Sequence, residues 1–433
     1  METRNTLKEY DVIVVGTGPG GASVAKELAL NNKKVLILER GDFRPVTGTL
    51  LNTLPRLGIP GKGVLFTNRM VAMVRAITTG GSSVYYYGTA FDPPENILKK
   101  YGITIKDEIS EIQKEVPVNP LPDEWIGPMS RRIMESACDL GLNWRKLNKF
   151  IYNDRLQERG NGSWGFMSAP NYQSKWNARM FIDTALASGA DIVNYAKVTK
   201  VILEGNRAAG VEYRHNHKKK RAFAPVVVIA AGGIGTPVIL RASGIKDAGY
   251  DFFFDPLIAV MGTAGDITVR PEIPMSTGIV FPEEGYVMTD MWVPPVLYMA
   301  NAASALKLHR LFSHRKTLQI MIKARDSLGG RLTDSGGVRK KIADADYGKL
   351  KHGRERAEKI LKNAGAKDIY KGWVFAAHPG GTVKIGDLVD SSLQTEYKNL
   401  YVCDCSVIPE EWGLPPTYTL LALGKRLAKM LSA

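Results

Sequence analysis

The stretch DVIVVGTGPGGASVAKELALNNKKVLILERG, residues 11–41, decides the fold of this chain. Its β-branched run Asp11–Gly16 predicts a buried strand, and the apolar residues of Gly20–Leu30 recur at helical spacing. A second apolar run, Lys34–Leu38, predicts the next strand. Together these elements form a β-α-β unit, which favours a parallel sheet with helices packed on it.

The turn between the first strand and the helix carries the spacing Gly16-x-Gly18-x-x-Gly21. In a dinucleotide-binding unit the first glycine permits the tight turn, the second lets backbone approach a pyrophosphate, and the third allows close helix–strand contact. The helix N-terminus offers free N–H groups to the phosphates. Glu39 ends the second strand, where a carboxylate can accept hydrogen bonds from both hydroxyls of an adenosine ribose. The unit predicts dinucleotide binding without separating FAD from NAD.

The bulk composition is that of a globular protein with a strong positive charge. Hydrophobic residues make up 44% of the 433 positions and charged residues 23%. No apolar run approaches the roughly 20 residues that span a bilayer. The polar N-terminus leads directly into a strand, so we expect no secretory signal and a cytoplasmic protein. The net charge of +15 could favour an anionic substrate, an acidic redox partner or an anionic membrane surface.

Basic residues and cysteines add few functional signals. The basic runs at 214–221 and 339–341 are expected to be solvated, and no nucleic-acid-binding module surrounds them. The three cysteines form neither a disulfide framework nor a zinc-binding spacing, and no metal site is expected. Cys403 and Cys405 alternate in a predicted strand, Leu400–Asp404, and are expected to be packed thiols on one face.

Nucleotide-type segments recur at the start, middle and end of the chain. Strand signals return at 191–213 around the turn Gly205-Asn206, and again at Pro225–Ala231 before a glycine-rich turn. The tail combines the strand near 400 with a closing helix from about 417 to 431. These elements predict an α/β fold, in which a discontinuous Rossmann-like domain binds the cofactor and an interleaved α+β domain binds the substrate. The first domain is assigned to 1–91, 190–250 and 371–433, and the second to 92–189 and 251–370.

Four blocks of the sequence resemble the glucose–methanol–choline (GMC) oxidoreductases, a family that binds FAD. The first is the β-α-β unit, and the second is TTGGSSVYYYGTAF at 78–91, similar to the family's second glycine segment. The third is VVVIAAGGIGTPVILRASGI at 226–245. The fourth begins with HPGGTVKIG at 378–386 and ends with NLYVCDCSVIPEEWGLPPTYTLLALGKRLAKML at 399–431. The blocks occur in the family's order, and the likeness is poor at 92–175 and 251–370.

The resemblance implies a set of FAD-binding residues. Glycines of the first segment and Glu39 should hold the ADP half, and the second glycine segment should lie against the pyrophosphate and the flavin ring. Asp404 should bond the ribityl or pyrophosphate portion, and the closing helix should direct free N–H groups at the flavin pyrimidine. The complete set is Gly16, Gly18, Pro19, Gly20, Gly21, Glu39, Arg40, Gly80, Gly81, Ser82, Ser83, Val198, Ala231, Gly232, Asp404, Cys405, Pro416 and Thr417.

The sequence departs from the family pattern at two places. Many members carry a histidine in the second glycine segment that bonds covalently to flavin, and 78–91 contains none, so non-covalent FAD is expected. Members usually have Asn or His before the final P-x-x-T as a partner of the catalytic histidine. Pro415 occupies that position here, and its side chain can neither donate nor accept a hydrogen bond. Tyr418, Glu411 and Trp412 are candidate replacements.

Within the resemblance, His378 is the candidate catalytic residue. A neutral imidazole can take the proton of an alcohol near neutral pH while hydride passes from carbon to flavin N5. Outside the family context, His378 could simply bond backbone in a turn. The expected activity is oxidation of a small-molecule alcohol, with a quinone, an acidic redox protein or oxygen as electron acceptor.

Two other functions remain open. One is a flavin-dependent reductase or desaturase of an apolar, isoprenoid-like chain, which would not need His378 as a base. The other is a non-catalytic flavoprotein subunit, suggested by Pro415 and the positive charge. The apolar stretch 286–306 could line a substrate cavity or pack in the core.

Overall fold

The computed structural model of the chain describes residues 9–47, 50–157 and 173–432. The α-helices in these ranges are α1 (Pro19–Leu30), α2 (Leu50–Thr53), α3 (Glu95–Lys100), α4 (Lys106–Glu115), α5 (Pro128–Asp139), α6 (Arg179–Ala187), α7 (Gly232–Ala242), α8 (Pro295–Ser304), α9 (Asp344–Asn363) and α10 (Thr417–Ser432). The strands are β1 (Val12–Val15), β2 (Val35–Leu38), β3 (Val64–Phe66), β4 (Ala72–Val74), β5 (Asn119–Pro120), β6 (Arg145–Lys146), β7 (Asn148–Lys149), β8 (Asp191–Val193), β9 (Lys197–Glu204), β10 (Arg207–His215), β11 (Lys218–Phe223), β12 (Val226–Ile229), β13 (Tyr250–Phe252), β14 (Pro256–Thr263), β15 (Thr277–Phe281), β16 (Tyr286–Asp290), β17 (Thr317–Ala324), β18 (Gly329–Leu332), β19 (Val338–Arg339), β20 (Lys367–Lys371), β21 (Phe375–Ala376) and β22 (Leu400–Val402).

A five-stranded parallel sheet in the order β22-β12-β1-β2-β8 forms the cofactor half of the fold. Strands β1 and β2 are four-residue runs of buried apolar side chains, as expected for strands covered on both faces. Strand β1 pairs in parallel with both β2 and β12, and β12 with β22. The sheet therefore joins the start, the middle and the tail of the chain, and the predicted α/β fold is confirmed.

A three-stranded antiparallel sheet, β9-β10-β11, lies between β8 and β12 in the chain. The predicted hairpin turn at Gly205-Asn206 joins β9 to β10. The basic run of residues 214–221 lies at the tip of the β10–β11 hairpin, where Lys218, Lys219 and Lys220 are exposed. Exposed lysines of this kind are solvated, as the sequence predicts. The same prediction is wrong for Lys340 of the run 339–341, which is buried and pairs with Asp326 at 2.9 Å.

The second large sheet is mainly antiparallel and has the order β3-β4-β21-β14-β17-β16-β15-β6, with β20 also pairing with β14. Its central strand β17 is buried along all eight residues. Because side chains alternate along a strand, Leu318, Ile320 and Ile322 pack towards α9, while Met321 joins a different cluster on the opposite face. Gln319 and Lys323 share that opposite face with Met321 by the same alternation.

The packing crosses the segment boundaries expected from the sequence. The core around the parallel sheet includes Leu98, Ile112 and Ile182, which belong to α3, α4 and α6 within the 92–189 segment. Strands β3 and β4, within 1–91, extend the large sheet instead. The assignment of whole segments to a cofactor domain and a substrate domain therefore stays a prediction.

The strand expected at Leu400–Asp404 is shorter than predicted. Strand β22 ends at Val402, and Cys405 already begins a short 3₁₀ turn, Cys405–Val407. The prediction that Cys403 and Cys405 alternate in one strand is therefore wrong. Asp404 ends the extended backbone because its side chain accepts a hydrogen bond from the Ser406 amide and caps the turn. Both thiols are buried and unpaired with each other, as packed cysteines.

Among the described residues, no helix combines the length and the apolar character needed to cross a membrane.

A network of buried and half-buried ion pairs holds α1, α4 and α10 together. Lys425 of α10 bonds Glu27 of α1 at 2.8 Å and Glu115 of α4 at 2.9 Å. Lys26 of α1 also pairs with Glu27 and Glu115. Burial opposes ionisation of Glu115, but hydrogen bonds from Lys26 and Lys425 outweigh it and lower the pKa of Glu115. The stabilisation by Glu115 is thus present above the pKa of an unfolded glutamate and is lost as the pH falls through its folded pKa.

We predict that Lys425→Met lowers the free energy of unfolding by about 2–3 kcal/mol, because it leaves three carboxylates, Glu27, Glu111 and Glu115, with less compensation around a side chain only 6% exposed. Lys429→Met is the matched control on the same helix. Lys429 also bonds two glutamates of α4 but its side chain is 42% exposed, so its loss should cost less than about 1 kcal/mol. Urea denaturation measures both, and equal losses would contradict the prediction.

Candidate active site

The predicted cofactor residues gather at the carboxyl edge of the parallel sheet. Gly16 follows β1, Glu39 follows β2, Gly232 begins the helix after β12, and Asp404 follows β22. In open parallel sheets, ligands bind in the crevice outside the carboxyl ends of the strands. Residues that are far apart in the sequence are thus brought to one edge.

The three fingerprint glycines differ in what an added side chain would meet. A Cβ on Gly21 would lie 2.3 Å from the Gly16 carbonyl oxygen and 2.9 Å from the Ala230 Cβ, so packing of α1 on the sheet requires glycine there. Gly16 has φ +100° and an equally close backbone neighbour. A Cβ on Gly18 would meet no protein atom within 4 Å, and its φ of −64° suits any residue. Protein packing therefore does not explain glycine at 18.

The second glycine segment lies against the first. The Gly80 amide donates to the Thr17 hydroxyl at 3.0 Å, and a Cβ on Gly81 would come within 3.2 Å of the Gly18 Cα. The hydroxyls of Ser82 and Ser83 are engaged within the protein, with the Ala76 amide donating to Ser82 and the Ala178 amide to Ser83. The segment is held rigidly beside the fingerprint turn.

The Glu39 carboxylate is buried at the same edge. It accepts hydrogen bonds from the Thr17 amide and hydroxyl, at 3.1 and 2.6 Å, and from the Gly41 amide at 2.7 Å. Burial raises the pKa of Glu39 despite these bonds. The Ala196 amide donates to the Glu39 carbonyl oxygen, which brings the start of β9 and Val198 to this end of the sheet. The role of Glu39 in ribose binding stays a prediction.

Two arginines, Arg40 and Arg75, lie close to each other, and Arg40 also lies near the Glu39 carboxylate. Neither Arg40 nor Arg75 forms an ion pair within the described part of the chain. Burial lowers the pKa of Arg75 to about 9, and repulsion from Arg40 contributes. Burial likewise lowers the pKa of Arg40. Two desolvated cations at one place favour an anionic group.

Asp404 accepts hydrogen bonds from three protein donors. Its Oδ2 accepts from the Gly232 amide at 2.8 Å and from the Thr236 hydroxyl at 2.5 Å, and its Oδ1 accepts from the Ser406 amide at 2.7 Å. The carboxylate thus ties β22 to the N-terminus of α7, next to Ala231. The predicted contact of Asp404 with the ribityl or pyrophosphate group would add to these bonds. The other predicted positions are Pro19 and Gly20 at the start of α1, Cys405, whose thiol points at the His378 carbonyl oxygen, and Pro416 and Thr417 at the start of α10.

The loop that carries His378 packs on the same edge. A Cβ on Gly233 would overlap the Pro379 carbonyl oxygen, at 1.8 Å, so the start of α7 and the loop are in direct contact. His378 itself has a left-handed backbone with φ +52°. Its side chain is 31% exposed, in contrast to the buried groups that surround it. The imidazole is therefore accessible at the edge where the glycine turns meet.

Two buried charged residues that sequence analysis missed lie against the imidazole. The Asp255 Oδ2 is 3.3 Å from the His378 Nδ1, and the Lys323 Nζ is 3.5 Å from the same nitrogen and 3.4 Å from Asp255. Asp255 is held by the Gly413 amide, which donates to its Oδ1 at 3.0 Å. One signal was visible: Lys323 interrupts the apolar strand LQIMIKA, where a charge would be costly without a partner.

The replacement for the polar residue lost at Pro415 differs from what we expected. None of Tyr418, Glu411 and Trp412 bonds the imidazole in the described structure, where Asp255 and Lys323 contact it instead. Tyr418 and Trp412 are buried in apolar clusters. The segment before Pro415 still contributes, because the Gly413 amide fixes Asp255.

Comparisons with known proteins agree with this arrangement. A family model described as GMC oxidoreductase matches residues 10–259, and a second with the same description matches residues 285–424. The chain belongs to the GMC oxidoreductase family. The predictions of this family, of FAD as the cofactor and of an FAD-dependent alcohol oxidoreductase are confirmed.

Two similar proteins and one solved structure align with almost the whole of this chain. An uncharacterised protein of Methanocaldococcus jannaschii is 27% identical over 97% of this chain and 99% of its own length. A long-chain-alcohol oxidase of Arabidopsis thaliana is 22% identical over 99% of this chain and 68% of its own length. The crystal structure of pyridoxine 4-oxidase from Mesorbium loti has a TM-score of 0.74 at 16% identity and covers 98% of this chain and 99% of that one, which shows a shared fold.

The residues of this GMC oxidoreductase fit FAD. Gly18 has an ordinary φ and no protein atom within 4 Å of an added Cβ, so close approach of a ligand accounts for glycine there. The space beside Gly232 is equally open, but its φ of +79° by itself favours glycine. Arg40 and Arg75 would supply positive charge to the phosphates of FAD. The first turn of α1 adds backbone N–H groups without a side-chain cap.

We predict that Gly18→Ala weakens FAD binding at least about tenfold, because the new methyl group occupies the space that the pyrophosphate approaches. It should change the stability of the apoprotein by less than about 1 kcal/mol, since the methyl group meets no protein atom. Gly21→Ala is the control and should destabilise the apoprotein by about 1–3 kcal/mol, because it meets the Gly16 backbone. FAD titration and thermal unfolding separate the two, and Gly18→Ala with normal FAD affinity would refute the assignment.

Proposed function

We propose that this GMC oxidoreductase oxidises the CH–OH group of an alcohol with His378 as the general base. FAD, when bound, supplies the acceptor for the hydride that leaves carbon. The contact that supports the proposal is the 3.3 Å approach of the buried Asp255 carboxylate to the His378 Nδ1. The chain's own residues then have to orient the imidazole and keep it neutral.

The Asp255 contact determines which nitrogen of His378 can act as the base. We assign the imidazole proton to Nδ1, because an ionised carboxylate only accepts hydrogen bonds. The Lys323 ammonium, 3.5 Å from the same nitrogen, then acts on the ring through its charge and donates to Asp255. The lone pair of Nε2 is then free to take the proton of a substrate hydroxyl. A carboxylate that fixes the histidine tautomer in this way also stabilises the imidazolium that forms.

Burial and charge keep His378 neutral. Burial lowers the pKa of His378, and the positive charge of Lys323 lowers it further, while Asp255 opposes both without reversing the shift. The imidazole is therefore unprotonated near neutral pH and competent as a base. Lys323 also donates to Asp255, which links these two buried groups to the partly exposed imidazole.

Backbone conformation supports a functional role for the pair. His378 and Asp255 both have left-handed backbones, with φ +52° and +47°. Each costs of order 1 kcal/mol relative to an ordinary conformation and persists where the surroundings enforce it. Such residues concentrate at active sites, which favours catalysis over a histidine that only bonds a turn.

The substrate is proposed to carry an apolar chain. The sheet face that bears Lys323 also bears Met321 and Gln319, and Met321 packs there with Met261 and Met291. Methionine-rich surfaces adapt to flexible apolar ligands. Both amide atoms of Gln319 are buried without a partner in the described structure, which leaves an unsatisfied polar group within this apolar layer. The name of the Arabidopsis relative, a long-chain-alcohol oxidase, agrees with such a substrate.

We predict that His378→Gln slows anaerobic reduction of the flavin by long-chain primary alcohols about 10²–10⁴-fold, because it removes the base. His352→Gln, at an exposed histidine of α9, is the control and should react like the wild type. Stopped-flow absorbance of the bound flavin measures the reduction. A flavin in the wild type that is reduced only by an external reductant, and then turns over an alkene, would support a reductase instead. Equal rates for wild type and His378→Gln would exclude His378 as the base.

We further predict that Lys323→Met shifts the pH profile of flavin reduction by the alcohol: its acid limb should move to higher pH by about 1 unit. The rate falls as the pH drops through the pKa of His378, and loss of the neighbouring cation raises that pKa. Lys351→Met, at an exposed lysine of α9, should leave the profile in place. A profile that stays fixed in Lys323→Met, while the variant retains bound FAD, would show that Lys323 does not act on His378.

A further inference from the structure

Helix α8 has an apolar solvent-facing side. Its sequence, PVLYMANAAS, contains no charged residue. Tyr298, Asn301 and Ala302 face the protein and are buried, while Val296, Leu297 and other apolar or small residues face outwards. A surface helix of a globular protein normally presents charged or polar side chains to water. The outer face of α8 is therefore unusual for a surface that stays in water.

The chain turns after α8 with a leucine where glycine is usual. The Leu306 amide donates to the Ala303 carbonyl and the Lys307 amide to the Ala302 carbonyl, which is the Schellman pattern for a helix end. Leu306 occupies the left-handed position of this motif, with φ +56°. Glycine adopts that conformation without strain and leucine does not. Yet the Leu306 side chain is 86% exposed and gains nothing from the fold.

Two further apolar side chains extend from the same segment. Leu308 is 62% exposed and Phe312 is 89% exposed, so neither contributes much to the core. We call Leu306, Leu308 and Phe312 the apolar tip. Single exposed apolar residues are common, but a run of them beside an apolar helix face marks an interaction site.

The charge around the apolar tip is positive. Residues 291–325 contain no aspartate or glutamate. Arg315 and Lys316 are exposed and form no ion pair in the part of the chain that is described. Lys307, His309 and Arg310 share a single carboxylate, Asp368 of β20.

An open groove continues this surface. It begins at Ala305, and exposed Met70 and Trp373 line it together with Arg69 and Lys371. None of its lining residues is an aspartate or a glutamate. Apolar side chains with cationic neighbours thus extend from α8 to the edge of the large sheet.

We propose that α8 and the apolar tip dock on an anionic lipid bilayer, with the tip inserted below the headgroups and Arg315 and Lys316 among the lipid phosphates. Apolar side chains that protrude almost free of contacts suit a fluid interior, which needs no complementary shape. Basic side chains beside them add attraction to anionic lipids. The buried side of α8 packs on Met261 and Met321, so the docked helix would cover the sheet face that bears Lys323.

Sedimentation of the FAD-loaded protein with vesicles tests the proposal without measuring activity, so a failure of the proposed alcohol oxidation would not affect it. The wild type is expected to bind vesicles of phosphatidylcholine with phosphatidylglycerol, and to bind pure phosphatidylcholine at least about tenfold more weakly. The triple variant Leu306→Ser, Leu308→Ser, Phe312→Ser should lose at least about tenfold in affinity for the anionic vesicles. Leu30→Ser, at an exposed leucine at the end of α1, is the control and should bind normally.

A matched pair of double variants tests the electrostatic contribution to vesicle binding. Arg315→Glu with Lys316→Glu should weaken binding to anionic vesicles, whereas Lys219→Glu with Lys220→Glu, on the basic hairpin, makes the same charge change and should have little effect. Equal losses in both double variants would show attraction by net charge alone and overturn the proposed site.

Further outcomes decide between lipid and protein partners. Leu306→Gly should raise the midpoint of thermal unfolding, since glycine suits the left-handed position, while weakening vesicle binding. A wild type that does not bind anionic vesicles would overturn the proposal. So would self-association in analytical ultracentrifugation that the triple variant abolishes, because the tip would then join two copies of the chain.

Discussion

Parallel hydrogen bonding of β1 with β12, and of β12 with β22, is the constraint on which the active site depends. These strands come from the start, the middle and the tail of the chain, and parallel pairing aligns their carboxyl ends at one edge. Gly16, Gly232 and Asp404 meet there for that reason. The contact of Gly233 with the Pro379 carbonyl then places the loop of His378 at the same edge. A cofactor turn and a candidate base are thereby positioned by one sheet.

The second sheet supplies polar groups that contact His378, whereas the C-terminal segment has proline at position 415. Pro415 cannot act as a hydrogen-bonding partner, but β17 carries Lys323 and the residue before β14 is Asp255. The antiparallel pairing of Leu257 with Lys323 brings these charges together under the imidazole. Buried charges are costly unless they are paired and hydrogen-bonded, and the Gly413 amide contributes to that compensation. Two polar groups beside His378 thus come from the second sheet.

Local patterns predicted the elements around the cofactor, whereas the charges behind His378 depend on tertiary pairing. The first β-α-β unit, the hairpin at Gly205-Asn206 and the closing helix α10 were predicted because their periodicity and turn residues lie within short windows. The strand predicted at β22 was too long, because no periodic pattern in the sequence marks the turn that Asp404 caps. Asp255 and Lys323 are separated by 68 residues and come together only through the β14–β17 register. No spacing rule connects them.

The protonation of His378 reports most directly on this arrangement. In FAD-loaded protein labelled with ¹⁵N at histidine, Nδ1 and Nε2 have distinct shifts in each tautomer, and His378→Gln assigns the resonances. Bonding to Asp255 predicts a neutral ring at pH 7 with its proton on Nδ1 and an unprotonated Nε2. A ring protonated only on Nε2, or an imidazolium at that pH, would contradict the role of the Asp255 contact and remove the base.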